Sequence, residues 1–98
     1  MKIAMQMRWN GVTIDQYDKV RSIVNWEENV PQGAILHLCT HDGNALRVTD
    51  VWDSAENFNT FAHKRLMPGV VEVGITSQPE VEVYPLHALF TPAFAEKK

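Results

Sequence analysis

His37, Asp50 and His87 are the residues of this chain whose types best suit proton transfer. His37 stands in the apolar run Ile35-Leu36-His37-Leu38-Cys39. An imidazole in such surroundings can act as a general base or anchor a substrate hydroxyl. A core histidine bonded to a neighbour fits the same pattern. Asp50 shares one side of its strand with Val48 and Trp52, while Arg47 points to the other. If that side lines a cavity, Asp50 can orient a substrate hydroxyl; if it meets helices, Asp50 is a bonded carboxylate at a strand end. His87, beside Leu86 and near Leu89, either shares a cavity with His37 or lies at a subunit contact or on the surface. Trp9, Trp52 and Phe61 can wall a flat pocket for an aromatic compound, with Phe58 beside them. Core packing accounts for the same residues.

Other chemistries lack their residues. His41 falls in a turn, and His63 lies well off the apolar stripe of its helix, toward solvent. The four histidines have no carboxylate or cysteine at ligand spacing, so no metal site is expected. Cys39 is the single cysteine; it reads as a small core residue in a reducing, cytoplasmic setting. No glycine-rich phosphate loop, serine elbow or paired catalytic carboxylates occur. The net charge is -3 and the nine basic residues are scattered, which argues against nucleic acid. No apolar run reaches the ~20 residues that span a membrane, and the opening residues turn polar too soon for a signal peptide.

These side chains need a frame, and the patterning supplies one. Residues 2–9 alternate, with Ile3, Met5, Met7 and Trp9 on one side of a strand. Asn10-Gly11 breaks it. Thr13 with Gln16 reads as a capping box, and Ile14, Tyr17, Val20, Ile23 and Val24 recur at helical spacing. A polar connection, 25–32, leads to a second strand, 33–41. The turn His41-Asp42-Gly43-Asn44 joins it to a third, antiparallel strand, 45–52. Ser54 caps a second helix, 54–66, whose apolar stripe runs through Ala55, Phe58, Phe61, Ala62 and Leu66. Pro68-Gly69 is expected to interrupt that helix, with a short turn through Val73 stopped by Gly74. A final strand, 80–90, follows Pro79. Its Glu80 and Glu82 mark a half-solvated edge. The tail, 91–98, is expected to fray or dock on a partner.

The order is that of an α+β, ferredoxin-like βαββαβ fold: one domain, 1–98, with a four-stranded antiparallel sheet and two helices on one face. Its strands carry apolar residues on both faces. Ile35, Cys39, Thr49 and Val51 are expected on one, and Leu36, Leu38, Val48 and Trp52 on the other. A sheet so built cannot leave its second face in water. A second copy is the simplest cover, giving a homodimer with a sheet-lined interior. A chain of 98 residues, which buries only about 60–65% of its surface alone, also gains core this way.

The segment Val51-Trp52-Asp53-Ser54-Ala55-Glu56-Asn57-Phe58, with Phe61 and Arg65-Leu66-Met67-Pro68 after it, resembles the strand-to-helix segment of the antibiotic biosynthesis monooxygenase-like proteins. These belong to the dimeric α+β barrel superfamily. Residues 79–87 are similar to the last strand of small bacterial members. The resemblance implies an enzyme that needs no metal, flavin or other cofactor. In that chemistry the substrate itself, as an electron-rich anion, reacts with oxygen in an apolar cavity. It implies a small aromatic or quinol-like substrate; for such chemistry the residue types of this chain offer His37 as base or anchor, Asp50 and His87 as polar partners, and Trp9 and Trp52 as walls. The haem-degrading branch has an Asn, Trp and His trio. Asn10 and His63 correspond in type, while Phe61 stands where its tryptophan is expected. The alternative to catalysis is a small-ligand-binding or structural dimer, since no strongly matched catalytic set is present.

Overall fold

The computed structural model describes residues 1–95. Its elements are β1 (Ile3–Asn10), α1 (Ile14–Val24), β2 (Ala34–His41), β3 (Ala45–Trp52), α2 (Ala55–Phe61), a π-helical turn (Ala62–Leu66), α3 (Met67–Val73), β4 (Glu80–Pro85) and α4 (Pro92–Ala95). The strands form one antiparallel sheet in the order β2-β3-β1-β4. This is the ferredoxin-like arrangement, with β2 and β4 at the edges. The expectation for the tail beyond residue 95 lies outside the described residues.

Local chemistry starts both main helices as expected. The Thr13 hydroxyl accepts from the Gln16 N–H at 3.1 Å, and the Gln16 side chain accepts from the Thr13 N–H at 2.9 Å. The Ser54 hydroxyl likewise accepts from the Asn57 N–H at 3.1 Å. Each cap pairs amide groups that the first helical turn leaves without partners. The β2–β3 turn is held by Asp42, whose Oδ1 accepts from the Asn44 and Ala45 N–H groups, both at 2.8 Å.

The break expected at Pro68-Gly69 does not occur. Backbone at Leu66 and Met67 stays right-handed helical, and the helix continues to Val73. In a regular α-helix the Pro68 ring would clash with the carbonyl four residues earlier. Here the turn just before it is widened, and the Met67 N–H reaches back to the Ala62 carbonyl. One π turn therefore admits the proline without ending the helix. Gly69 allows close approach to α1, because a Cβ there would sit 2.7 Å from Val24 Cγ2. Gly74 ends the helix with φ 94°, as expected of a glycine stop.

The two faces of β2 and β3 sort differently from expectation. The hairpin closes with His41 opposite Leu46, so odd residues of β2 share a face with even residues of β3. His37 thus lies opposite Asp50 and Cys39 opposite Val48, on the helix side. Leu36 and Leu38 lie with Val51 and Thr49 on the open side. A one-residue register change moves a whole strand from one face to the other. A bulge between Ala34 and Leu36 lets Ala34 stay with Trp52 on the helix side.

The last strand is also shorter than expected, ending at Pro85 rather than at residue 90. Pro85 pairs with Ile3, the first residue of β1, so the neighbour runs out there. One further bond, Leu86 N–H to the Lys2 carbonyl at 2.9 Å, closes the ladder.

The core lies between the sheet and the helices. Ile3, Met5, Met7 and Trp9 of β1 and Leu46, Val48 and Trp52 of β3 meet Val20, Val24, Phe58, Phe61 and Val70. Asp50 is the one buried charged residue among the described residues, at 6% exposure.

Candidate functional site

Four side chains from three elements form a hydrogen-bonded row at one end of this core. Asp50 Oδ1 accepts from His37 Nδ1 at 2.7 Å, and Asp50 Oδ2 accepts from Trp52 Nε1 at 3.0 Å. His37 Nε2 lies 2.7 Å from the Tyr17 hydroxyl. A carboxylate can only accept, so Nδ1 carries a proton. In the neutral ring Nε2 then holds the lone pair and accepts from Tyr17. Burial, above all, and then the nearby Cys39 thiol and Asp50 carboxylate hold the Tyr17 phenol well above its ordinary range. Tyr17 is therefore a standing hydroxyl donor.

The sheet register makes this row. His37 and Asp50 are cross-strand partners on β2 and β3, and Trp52 lies two residues along on the same face. Tyr17 drops onto them from the buried side of α1. Aromatic contacts fix its ring: it stacks on His37 at 6.1 Å and 8°, and Trp26 meets His37 edge-on at 5.1 Å. His37 keeps 33% of its side chain exposed, against 8% for Asp50. The row thus runs from the edge of the sheet inward.

The row borders a cavity of about 240 Å³ between sheet and helices. Met5, Met7, Trp9, Trp52, Phe58 and Phe61 wall it, and Tyr17, Trp26, His37 and Asp50 lie at its polar end. Trp9 is pinned by its indole N–H, which donates to the Ser77 carbonyl and hydroxyl, each at 3.1 Å. Trp52 packs against Phe58 at 5.8 Å and Phe61 at 5.4 Å. Glu27 stands at the rim, where its hydrogen bonds to the Arg21 guanidinium hold its carboxyl below the usual range.

The residues singled out in the sequence separate clearly. His37 and Asp50 are bonded to each other, and Trp9, Trp52 and Phe61 line one cavity. His87 does not join them. It lies past the end of β4, exposed, and is not among the cavity-lining residues. The physical reason is the early stop at Pro85, which releases the chain from the sheet. His63 is exposed on the π turn, and Asn10 is exposed at the end of β1. Of the haem-type trio positions only Phe61 faces the cavity. His41 fastens the hairpin, with Nε2–H donating to the Val12 carbonyl at 2.9 Å and Nδ1 accepting from the Gly43 N–H at 3.0 Å. Cys39 is half-buried, and burial pushes its thiol up, away from a reactive thiolate. No group of three or more His, Cys, Asp or Glu among the described residues is placed to hold a metal ion.

Two site residues were not singled out by type. Tyr17 stood on the apolar face of α1 as a core position. Its hydroxyl at the end of that stripe is the one signal that it needs a polar partner. Trp26 lies in a connection read as polar, with no periodicity to place it.

No family model matches the chain, and no curated protein matches it. Solved structures do. It superposes on SnoaB, a cofactor-independent oxygenase from Streptomyces nogalater, with TM-score 0.67 and 13% identity over 90% of this chain and 95% of that one. A protein of unknown function from Nitrosomonas europaea gives TM-score 0.72 and 17% identity, over 93% and 94%. A candidate antibiotic biosynthesis monooxygenase from Deinococcus radiodurans gives 0.59 and 13%, over 93% and 97%. At these identities the similarity is one of fold: the chain has the architecture of the antibiotic biosynthesis monooxygenase-like proteins. Among the described residues no helix is long and apolar enough to cross a membrane.

Proposed function

We propose that the protein is a monooxygenase-like enzyme that oxidises a small phenolic or quinol-like compound directly with dioxygen. The fold alone names no reaction. The observation that carries the reading is the bonded row Tyr17–His37–Asp50 bordering a mostly apolar cavity. An apolar ring fits the walls, and one ionisable hydroxyl fits that row. A cavity of about 150 Å³ already admits benzene, so about 240 Å³ leaves room for a substituted or fused ring. Buried Asp50 and rim Glu27 are both acidic, which favours a neutral phenol over a carboxylate.

His37 is the base in this account, and Asp50 orients its ring and stabilises the imidazolium that forms. Removing the proton leaves an electron-rich oxyanion in a mostly apolar cavity. That anion supplies the electrons to dioxygen. One oxygen atom enters the ring to give a quinone, and the other leaves as water. Trp9, Trp52 and Phe61 hold the ring plane. A second copy covering Leu36, Leu38 and Tyr84 on the open sheet face completes the assembly; Leu38 and Tyr84 are 46% and 55% exposed in the single chain.

Oxygen uptake by purified protein on a panel of quinols, phenols and reduced haem, with catalase and a metal chelator present, tests the reading. Chelator-resistant uptake with a phenolic or quinol class, one quinone formed per dioxygen, supports it. Uptake with haem alone transfers the site to haem chemistry. No uptake, with tight binding of the same phenols, makes the protein a small-ligand-binding dimer.

A further inference from the structure

We propose that Tyr17, rather than His37, meets the substrate hydroxyl and relays its proton inward to His37. The role deepens the reading above and rests on it for the identity of the substrate, but not for the proton transfer itself. Both nitrogens of His37 are engaged, Nδ1 by Asp50 and Nε2 by Tyr17, each at 2.7 Å. A hydroxyl entering the cavity finds no free lone pair on that ring. It does find Tyr17, which lines the cavity and commits its hydrogen to Nε2. A phenolic oxygen has two lone pairs. The nearby Cys39 thiol donates instead to the Thr40 carbonyl, at 3.8 Å. A lone pair of the Tyr17 oxygen is therefore open to accept from a substrate.

The step balances without an external reagent. The substrate O–H bond breaks as a new O–H bond forms on Tyr17. The original Tyr17 O–H bond breaks as an N–H bond forms at His37 Nε2. The ring becomes an imidazolium that keeps its Nδ1–H bond to the Asp50 carboxylate. No electrons change hands. The substrate oxyanion is left accepting a hydrogen bond from Tyr17, beside the new positive charge. Burial disfavours a free tyrosinate at this position, so the two transfers are coupled rather than sequential. His37, partly open at the sheet edge, can then release its proton to water.

Binding of para-nitrophenol, read by its visible phenolate band at a pH where the free probe is mostly protonated, tests the relay without any turnover. The wild-type protein should bind the probe as phenolate. Tyr17→Phe should bind it with comparable affinity and lose at least tenfold of the bound phenolate. His37→Gln should lose it as well. Fluorotyrosine at position 17, which keeps hydroxyl and packing, should retain the band. A wild-type band preserved in Tyr17→Phe overturns the relay, and so does the absence of any band in the wild type. Quinol oxidation followed on the same samples keeps the two ideas apart. A Tyr17-dependent band without turnover retires the oxygenase reading alone, and turnover undiminished in Tyr17→Phe retires the relay alone.

Discussion

Asp50→Asn puts the sharpest demand on the bonded row. The carboxylate is buried at 6% exposure, and both oxygens accept from donors, His37 Nδ1 at 2.7 Å and Trp52 Nε1 at 3.0 Å. Asparagine keeps the shape but offers one oxygen and one NH₂. Turned toward Trp52, the NH₂ leaves a buried indole N–H without an acceptor, at about 1–3 kcal/mol. Losing the charge also weakens the remaining bond, by about 1 kcal/mol. Turned toward His37, the NH₂ forces the ring proton from Nδ1 to Nε2, and Tyr17 must become an acceptor. That orientation spares the indole but takes from the Tyr17 hydroxyl hydrogen its acceptor, at about 1–2 kcal/mol. The side chain takes the cheaper orientation, so the variant should lose about 1–2 kcal/mol. For a domain of this size each kcal/mol lowers Tm by about 4–8 °C. Thermal unfolding by circular dichroism gives the loss, and nitrogen NMR of the ring identifies the tautomer. A Tm within about 1 °C of wild type, with His37 still protonated at Nδ1, would mean that Asp50 does not hold the two donors together.

Three other predictions concern separate parts of the molecule. Gly69→Ala gains about 1 kcal/mol of helix propensity. Its Cβ, 2.7 Å from Val24 Cγ2, must push into a packed core at a cost of about 1–3 kcal/mol. Urea unfolding should show a net loss of about 1 kcal/mol, smaller in a Val24→Ala background. The Asp42 carboxyl is held below the usual range by the Asn44 and Ala45 N–H groups and by Arg47. Its contribution is therefore fully present above about pH 4 and is lost as pH falls through its lowered folded value. Asp42→Asn should be less stable than wild type at neutral pH, with the gap closing in acid. If the proposed dimer forms through the open sheet face, Leu38→Glu should turn it into a monomer in analytical ultracentrifugation; a wild-type monomer retires the dimer, and a dimer that survives the substitution retires that face as the interface.

What the sequence made legible was local. The alternation of Ile3, Met5, Met7 and Trp9, the Thr13–Gln16 box, the Ser54 cap and the turn before Ala45 each act over a few residues, and each is present in the fold. What it concealed depended on contacts between elements. Alternation put His37 and Asp50 each on a definite side of its own strand. Only the closure of the hairpin at His41 and Leu46 decides that the two sides coincide. Tyr17 could be read as an apolar-face residue, but its bond to His37 spans two elements twenty residues apart. Pro68 looked like a helix stop because proline blocks a regular turn. A single π turn removes that obstacle, and no residue pattern announces it. His87 was drawn into the site by an apolar run that outlasts its neighbouring strand; once β1 has no more residues to pair, the run cannot stay in the sheet.

In the proposed reaction a phenolic or quinol-like substrate gives up its proton to the His37–Asp50 pair and is then oxidised by dioxygen. The most direct measurement is the rate of chelator-resistant oxygen consumption on the best quinol, for wild type and His37→Ala side by side, with folding checked by circular dichroism. General-base catalysis contributes about 10²–10⁴-fold, so the variant should be slower by at least a hundredfold while still binding the quinol. A folded His37→Ala protein that consumes oxygen at the wild-type rate would exclude His37 as the base.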